Sequence, residues 1–146
     1  MSSNKRSLAT IGRLEPIDFP EWDIVNIDAK IDTGAYTSSL HCHRIESFEK
    51  DGKPYVRFNL LDPSHEIYND KLFKLPVYST KTIKSSNGTT EKRFIIKTVI
   101  RVLDRELEAE LSLTNRSEMR YPVLIGRKLI SGHFLVDPSK KYLTKK

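Results

Sequence analysis

Three observations predict a small, mainly β fold. Apolar residues recur at every second position in run after run, Asn-Gly and Pro residues punctuate those runs, and a 3.6-residue period is almost absent. The residues alone predict an antiparallel β-domain, barrel or sandwich, with one short helix. The 146 residues fit one domain, 1–146. Residues 1–9 and 140–146 are expected to be mobile ends.

Each alternating run reads as a strand with one buried face. Val25, Ile27, Ala29 and Ile31 alternate with Asn26, Asp28 and Lys30. Val56, Phe58 and Leu60 flank Arg57 and Asn59. Phe94, Ile96, Ile100 and Val102 share one parity, and Leu107, Ala109, Leu111 and Leu113 alternate with glutamates. Asp104-Arg105 is short enough to join the last two runs as a hairpin. Asn87-Gly88 marks the tip of another, because that dipeptide supplies the positive φ of tight turns. Pro54, Pro63 and Pro76 break the middle of the chain. The single helix candidate is Arg127-Lys128-Leu129-Ile130, between Gly126 and Gly132.

Composition narrows the classes of function. Hydrophobic residues make up 38% and charged residues 30%, which supplies one modest core. No stretch approaches the ~20 apolar residues that a membrane-spanning helix needs. Cys42 is the only cysteine, so an intramolecular disulfide and a multi-cysteine zinc site are excluded. No apolar run follows the N-terminal Met1–Arg6 as it would in a signal peptide, so a reducing, cytoplasmic setting is expected. The net charge of +6 is uneven: residues 1–73 carry −3 and residues 74–146 carry +9. A basic half suits either an anionic partner or a solvated surface. Nucleic acid is the less favoured partner, because the basic residues are not interleaved with a regular set of aromatics.

The residues that carry chemistry lie in two segments. The first runs from strand into turn as Ala29-Lys30-Ile31-Asp32-Thr33-Gly34-Ala35. An Asp there sits where backbone amides can reach its carboxylate; the alternative is an ordinary Asx turn. The second, Val123-Leu124-Ile125-Gly126-Arg127, brings an apolar run to a Gly that lies 94 residues beyond Asp32.

Together these segments resemble the paired signature of retropepsin-like aspartic proteases. The chain is most similar to the RimK-associated group known as putative ATP-dependent zinc proteases. That likeness extends through Thr37-Ser38-Ser39-Leu40-His41, Val56-Arg57-Phe58, Glu91-Lys92-Arg93 and Leu113-Thr114-Asn115-Arg116. It continues through Met119-Arg120 and Leu135-Val136-Asp137-Pro138-Ser139, so that it spans about residues 10–143.

The resemblance implies a retropepsin-like closed β-barrel and an aspartic peptidase with Asp32, Thr33 and Gly34 as catalytic residues. One Asp-Thr-Gly per chain implies a homodimer, with two Asp32 carboxylates sharing a proton across a twofold axis. Thr33 would bond across that axis, and Gly34 would let backbone approach the carboxylates. The hairpin at Ser85–Thr90 would act as a flap. The family's association with a glutamate-adding ligase implies an acidic, glutamate-rich peptide or protein tail as substrate. Lys30, Ala35, Arg93, Arg116 and Arg127 are the candidate substrate-binding residues, since arginine binds carboxylates well. For each basic residue the alternative is a solvated base or a structural ion pair. Retroviral members pair the arginine of Ile-Gly-Arg with an acidic residue after Asp-Thr-Gly-Ala. Tyr36 stands there in this chain, so Arg127 is expected to find another carboxylate or to point at substrate.

No cofactor or metal is predicted, despite the family's name. His41 and His43 share a face of a strand and could both ligate zinc, but no spacing nominates a third ligand. Neither a phosphate-binding Gly-rich loop nor a dinucleotide fingerprint is present. The competing expectation is a non-catalytic module on the same fold that holds an anionic protein tail or nucleic acid.

Overall fold

The computed structural model describes residues 8–60, 71–84, 86–115 and 121–144. The expected turn at Pro63 and the candidate Arg116 lie outside the described residues, as do Met119, Arg120 and most of the expected mobile N-terminal end. The fold is mainly β with one short helix, as expected.

The eleven strands of the described residues form two sheets. β1 (Ala9–Ile11) pairs in parallel with β11 (Phe134–Val136) as a separate two-stranded sheet. The nine strands between form the main sheet: β2 (Leu14–Phe19), β3 (Ile24–Ile31), β4 (Ser38–Lys50), β5 (Lys53–Leu60), β6 (Leu72–Pro76), β7 (Ser79–Lys84), β8 (Thr90–Val102), β9 (Arg105–Thr114) and β10 (Val123–Ile125). The pairings β10–β3–β2–β8–β9–β4 return to β10, so six strands close into a ring. β7 extends from β8, and β5 and β6 continue outward from the far half of β4. Most pairings are antiparallel; β10–β3 and β4–β9 are parallel.

The alternating runs behave as period-2 strands must. Ile27, Ala29, Ile96, Ile100, Leu111 and Leu113 are all buried in one core. An aromatic cluster, Phe19, Trp22, Phe58 and Phe73, joins β2 and a 3₁₀ turn at Pro20–Trp22 to β5 and β6. Val25 departs from the alternation and is 62% exposed. The β2–β3 register shifts between Ile17 and Phe19, and Asn26 takes a left-handed φ of 58° while its N–H donates to Asp18 Oδ1. That bulge turns Val25 out of the face that Ile27 occupies. The 102–105 hairpin is present, with Leu103-Asp104 as its turn and Val102 paired with Arg105. The Asn87-Gly88 turn joins β7 to β8, with Gly88 at φ 88°.

Residues 140–144 are held in place, contrary to the expectation of a mobile C-terminal end. Arg13 N–H donates to Lys140 O, and Tyr142 N–H to Leu14 O. Glu15, fully buried, accepts from Leu143 N–H, Thr144 N–H, Thr144 Oγ1 and Gly12 N–H. A carboxylate without water must be satisfied by such donors, and this strap supplies three of them. No helix among the described residues is long and apolar enough to cross a membrane.

Candidate active site

Two chain segments, distant in sequence, are knitted backbone to backbone around Asp32. β3 and β10 run in parallel with Ile31 opposite Ile125, so both strands end at one level. Asp32 N–H donates to Ile125 O at 2.8 Å, which continues the ladder by one bond. The chain then turns: Ala35 N–H donates to Asp32 O at 3.2 Å, and Gly34 N–H donates to Asp32 Oδ1 at 2.9 Å. The second of these is an Asx-type bond, and it orients the carboxylate with a charge-assisted hydrogen bond. The Asx turn is thus present, and the bond that makes it is the one that brings a backbone amide to the Asp32 carboxylate.

The Gly126-Arg127 segment closes the other side. Arg127 N–H donates to Ala35 O at 2.7 Å and Lys128 N–H to Tyr36 O at 3.0 Å. Gly126 N–H donates to Ser38 Oγ at 3.0 Å. The helix α1 (Arg127–Ile130) starts here and buries Leu129 and Ile130 in the core. Lys128 pairs with Glu110 at 2.7 Å, and that hydrogen bond raises the lysine's affinity for its proton. A cavity of about 110 Å³ borders Thr37, Ser38, Lys128 and Leu129 beside this segment.

Arg127 finds neither a replacement carboxylate among the described residues nor a free position. Its guanidinium donates to Thr33 O at 3.0 Å and lies 5.8 Å from the centroid of the Tyr36 ring. Tyr36, which takes the place of an acidic residue, thus supplies a π-face instead of a charge.

Asp32, Thr33, Gly34, Ala35 and Arg127 are brought together. Asp32 and Ala35 are half-buried; Thr33, Gly34 and Tyr36 face solvent. Lys30 is exposed on β3, two residues before Asp32 and opposite Leu124. Arg93 stands apart on β8, its Nε 3.5 Å from Glu91. Ser38 was not a sequence candidate; its place in Thr37-Ser38-Ser39, beside the turn, was the available signal. His41 and Cys42 are both fully buried on β4, and burial raises the Cys42 thiol well above its ordinary range. A left-handed Arg44 and a register shift follow His43.

The comparisons with known proteins bear on this geometry. The family model described as "RimB-like: Retropepsin-like aspartic endopeptidase RimB" matches residues 10–146. The chain belongs to the RimB-like family. A crystal structure of a Legionella pneumophila protein of unknown function shares 31% identity with this RimB-like chain. That match has a TM-score of 0.77 and covers 95% of this chain and all of that one. A Shewanella pealeana protein named "probable alpha-L-glutamate ligase" is 41% identical over 97% of this chain. A Desulfotalea psychrophila protein of the same name is 35% identical over 88%. This RimB-like chain spans only 30% and 28% of the length of those two relatives.

Proposed function

We propose that this RimB-like chain is an aspartic-type peptidase that works as a homodimer and cuts glutamate-rich protein tails. The observation that carries this reading is the Asp32 carboxylate, held by Gly34 N–H at the junction of β3 and β10. Its turn is exposed at Thr33 and Gly34, where a second copy would meet it. In the dimer, one ionised Asp32 takes a proton from water as the water adds to the scissile carbonyl carbon. The protonated Asp32 of the other copy donates to the carbonyl oxygen. Collapse of the tetrahedral adduct breaks the C–N bond, and the amine leaves with a proton from the dyad. The glutamate-rich substrate is supported by the ligase names of the relatives and by the +9 charge of residues 74–146. A cytoplasmic setting fits that substrate and the lone buried thiol.

The test is Asp32→Asn, read by cleavage of a glutamate-tailed peptide. Activity should fall to background while the melting temperature and the dimer persist, and a chelator should leave the wild-type rate unchanged. Normal turnover by Asp32→Asn would rule the dyad out. A second reading has one observation in its favour: this chain matches only a part of proteins that are named as ligases. It is a non-catalytic module that holds an anionic tail. A monomer that binds hexaglutamate and cleaves nothing would establish it in place of the first.

A further inference from the structure

The strand registers set two rows of side chains on the sheet face that Lys30 shares. The first row reads Lys30, Leu124, Ser39, Ser112, Ile95 and Ser79 across β3, β10, β4, β9, β8 and β7. Directly opposed residues share a face, as do residues two apart on one strand. The next row is therefore His41, Thr114, Arg93 and Lys81. His41 pairs with Thr114 and Lys81 with Arg93; the β8–β9 ladder ends at Ile95 and Ser112, and continuing its register by two residues would set Arg93 across from Thr114.

This second row holds an unusual polar deficit. Arg93 Nε and Thr114 Oγ1 are both buried, and neither has a hydrogen-bond partner among the described residues. The Thr114 residue is only 4% exposed and the Arg93 side chain only 13%. Glu91 lies 3.5 Å from Arg93 Nε, but its own side chain is 60% exposed. It offsets the charge without satisfying the donor. A buried hydrogen bond left unmade is destabilising, and two on adjacent strands call for a reason. An arginine Nε can only donate, and a threonine hydroxyl can donate beside it. What they lack is an acceptor, and next to a guanidinium and the exposed Lys81 the fitting acceptor is an anion.

We propose that Arg93 and Thr114, with Lys81 at the rim, form a subsite that binds the carboxylate of a glutamate side chain in the substrate tail. In this subsite Glu91 is the weak internal stand-in that the substrate carboxylate replaces. The row lies four residues along the strands from the level of Asp32, ~13 Å at strand rise. It serves a residue remote from the scissile bond, so it contributes to holding the tail more than to the chemical step. The inference rests on the glutamate-tail reading above, and its test separates the two.

Hexaglutamate binding is measured by calorimetry on Asp32→Asn, then on the same chain with Thr114→Val, with Arg93→Gln, or with Lys92→Gln as an exposed neighbouring control. The first two should weaken binding roughly tenfold, as loss of a charge-assisted hydrogen bond would. Lys92→Gln should weaken it less. Thr114→Val removes an unsatisfied hydroxyl from the interior, so its melting temperature should hold or rise, which separates lost binding from lost fold. Hexaglutamate affinity unchanged in both Thr114→Val and Arg93→Gln overturns the subsite, and leaves the peptidase reading standing if wild type still cleaves. Weakened binding in both, with no cleavage by wild type, supports the subsite and removes the peptidase reading.

Discussion

Gly126 and Tyr36 meet backbone to backbone. A Cβ on Gly126 would come within 2.6 Å of Tyr36 O and 2.8 Å of Thr37 O, closer than real Cβ atoms come to anything. The obstacle is the main chain of Tyr36 and Thr37, so no rotamer change can relieve it. The contact is also what allows Gly126 N–H to reach Ser38 Oγ and Lys128 N–H to reach Tyr36 O.

Gly126→Ala is therefore expected to push the two segments apart. The cost should be ~1–3 kcal/mol, as for overpacking elsewhere, seen as a lower urea midpoint at unchanged slope. Ser38→Ala should cost less, ~1 kcal/mol, because it removes one hydrogen bond and leaves the spacing intact. An equal or larger loss in Ser38→Ala would mean that the hydroxyl, not the close approach, sets the junction.

Glu15 makes the C-terminal strap part of the fold. Glu15→Gln replaces one acceptor oxygen with an amide group that donates, against a site lined by donors. A loss of ~3 kcal/mol is expected, since a hydrogen bond to a buried charge is worth more than a neutral one. Truncation after Tyr142 removes the three donors of Leu143 and Thr144 and should cost a similar amount. A truncated chain with the wild-type midpoint would show that the strap is dispensable.

Much of this was legible in the sequence, and the failures have local causes. The strands around Ile27, Ile96 and Leu111 follow a clean period of two, and the helix over 127–130 was bounded by Gly126 and Gly132. Val25 was misplaced because the bulge at Asn26 is set by Asp18 on the neighbouring strand, which no single window contains. The first half of β4 carries no apolar alternation to read, because polar Ser38 and His41 are buried there alongside Leu40. The strap looked mobile because its partner, Glu15, lies 128 residues away. At the site, the turn at Asp32 was readable from its motif. The contacts of Arg127 with Thr33 O and Tyr36 depend on how two segments 94 residues apart meet.

The strap also carries a pH dependence. Tyr142 donates its hydroxyl to Asp28 Oδ2 at 3.0 Å, and burial, then the Asp28 carboxylate, raises its pKa above the ordinary 10.0. The folded chain thus holds this proton more tightly than the unfolded chain does. The stabilisation is complete below about pH 10, the unfolded value, and is lost as pH rises through the folded value. Ultraviolet titration should show one tyrosine that ionises late, and Tyr142→Phe should remove it. If all tyrosines titrate together in the native protein, the Asp28 contact is absent in solution.

Arg127 offers the sharpest comparison of side-chain roles. Its guanidinium donates to Thr33 O at 3.0 Å and lies 5.8 Å from the centroid of the Tyr36 ring, and a planar fork holds such a pair of contacts more firmly than a flexible ammonium does. Arg127→Lys should lose most of both, ~1–1.5 kcal/mol in stability. Tyr36→Ala should lose only the ring contact, ~0.5–1 kcal/mol. Hydrogen exchange at Gly34 and Ala35 would report the same order, with faster exchange in Arg127→Lys than in Tyr36→Ala. If the proposed peptidase reading holds, cleavage should slow in that order as well, because the carbonyl bond holds the turn that carries Asp32. A reversed order would place the restraint on Tyr36, and would mean that the aromatic ring, not the arginine's hydrogen bond, keeps the carboxylate in place.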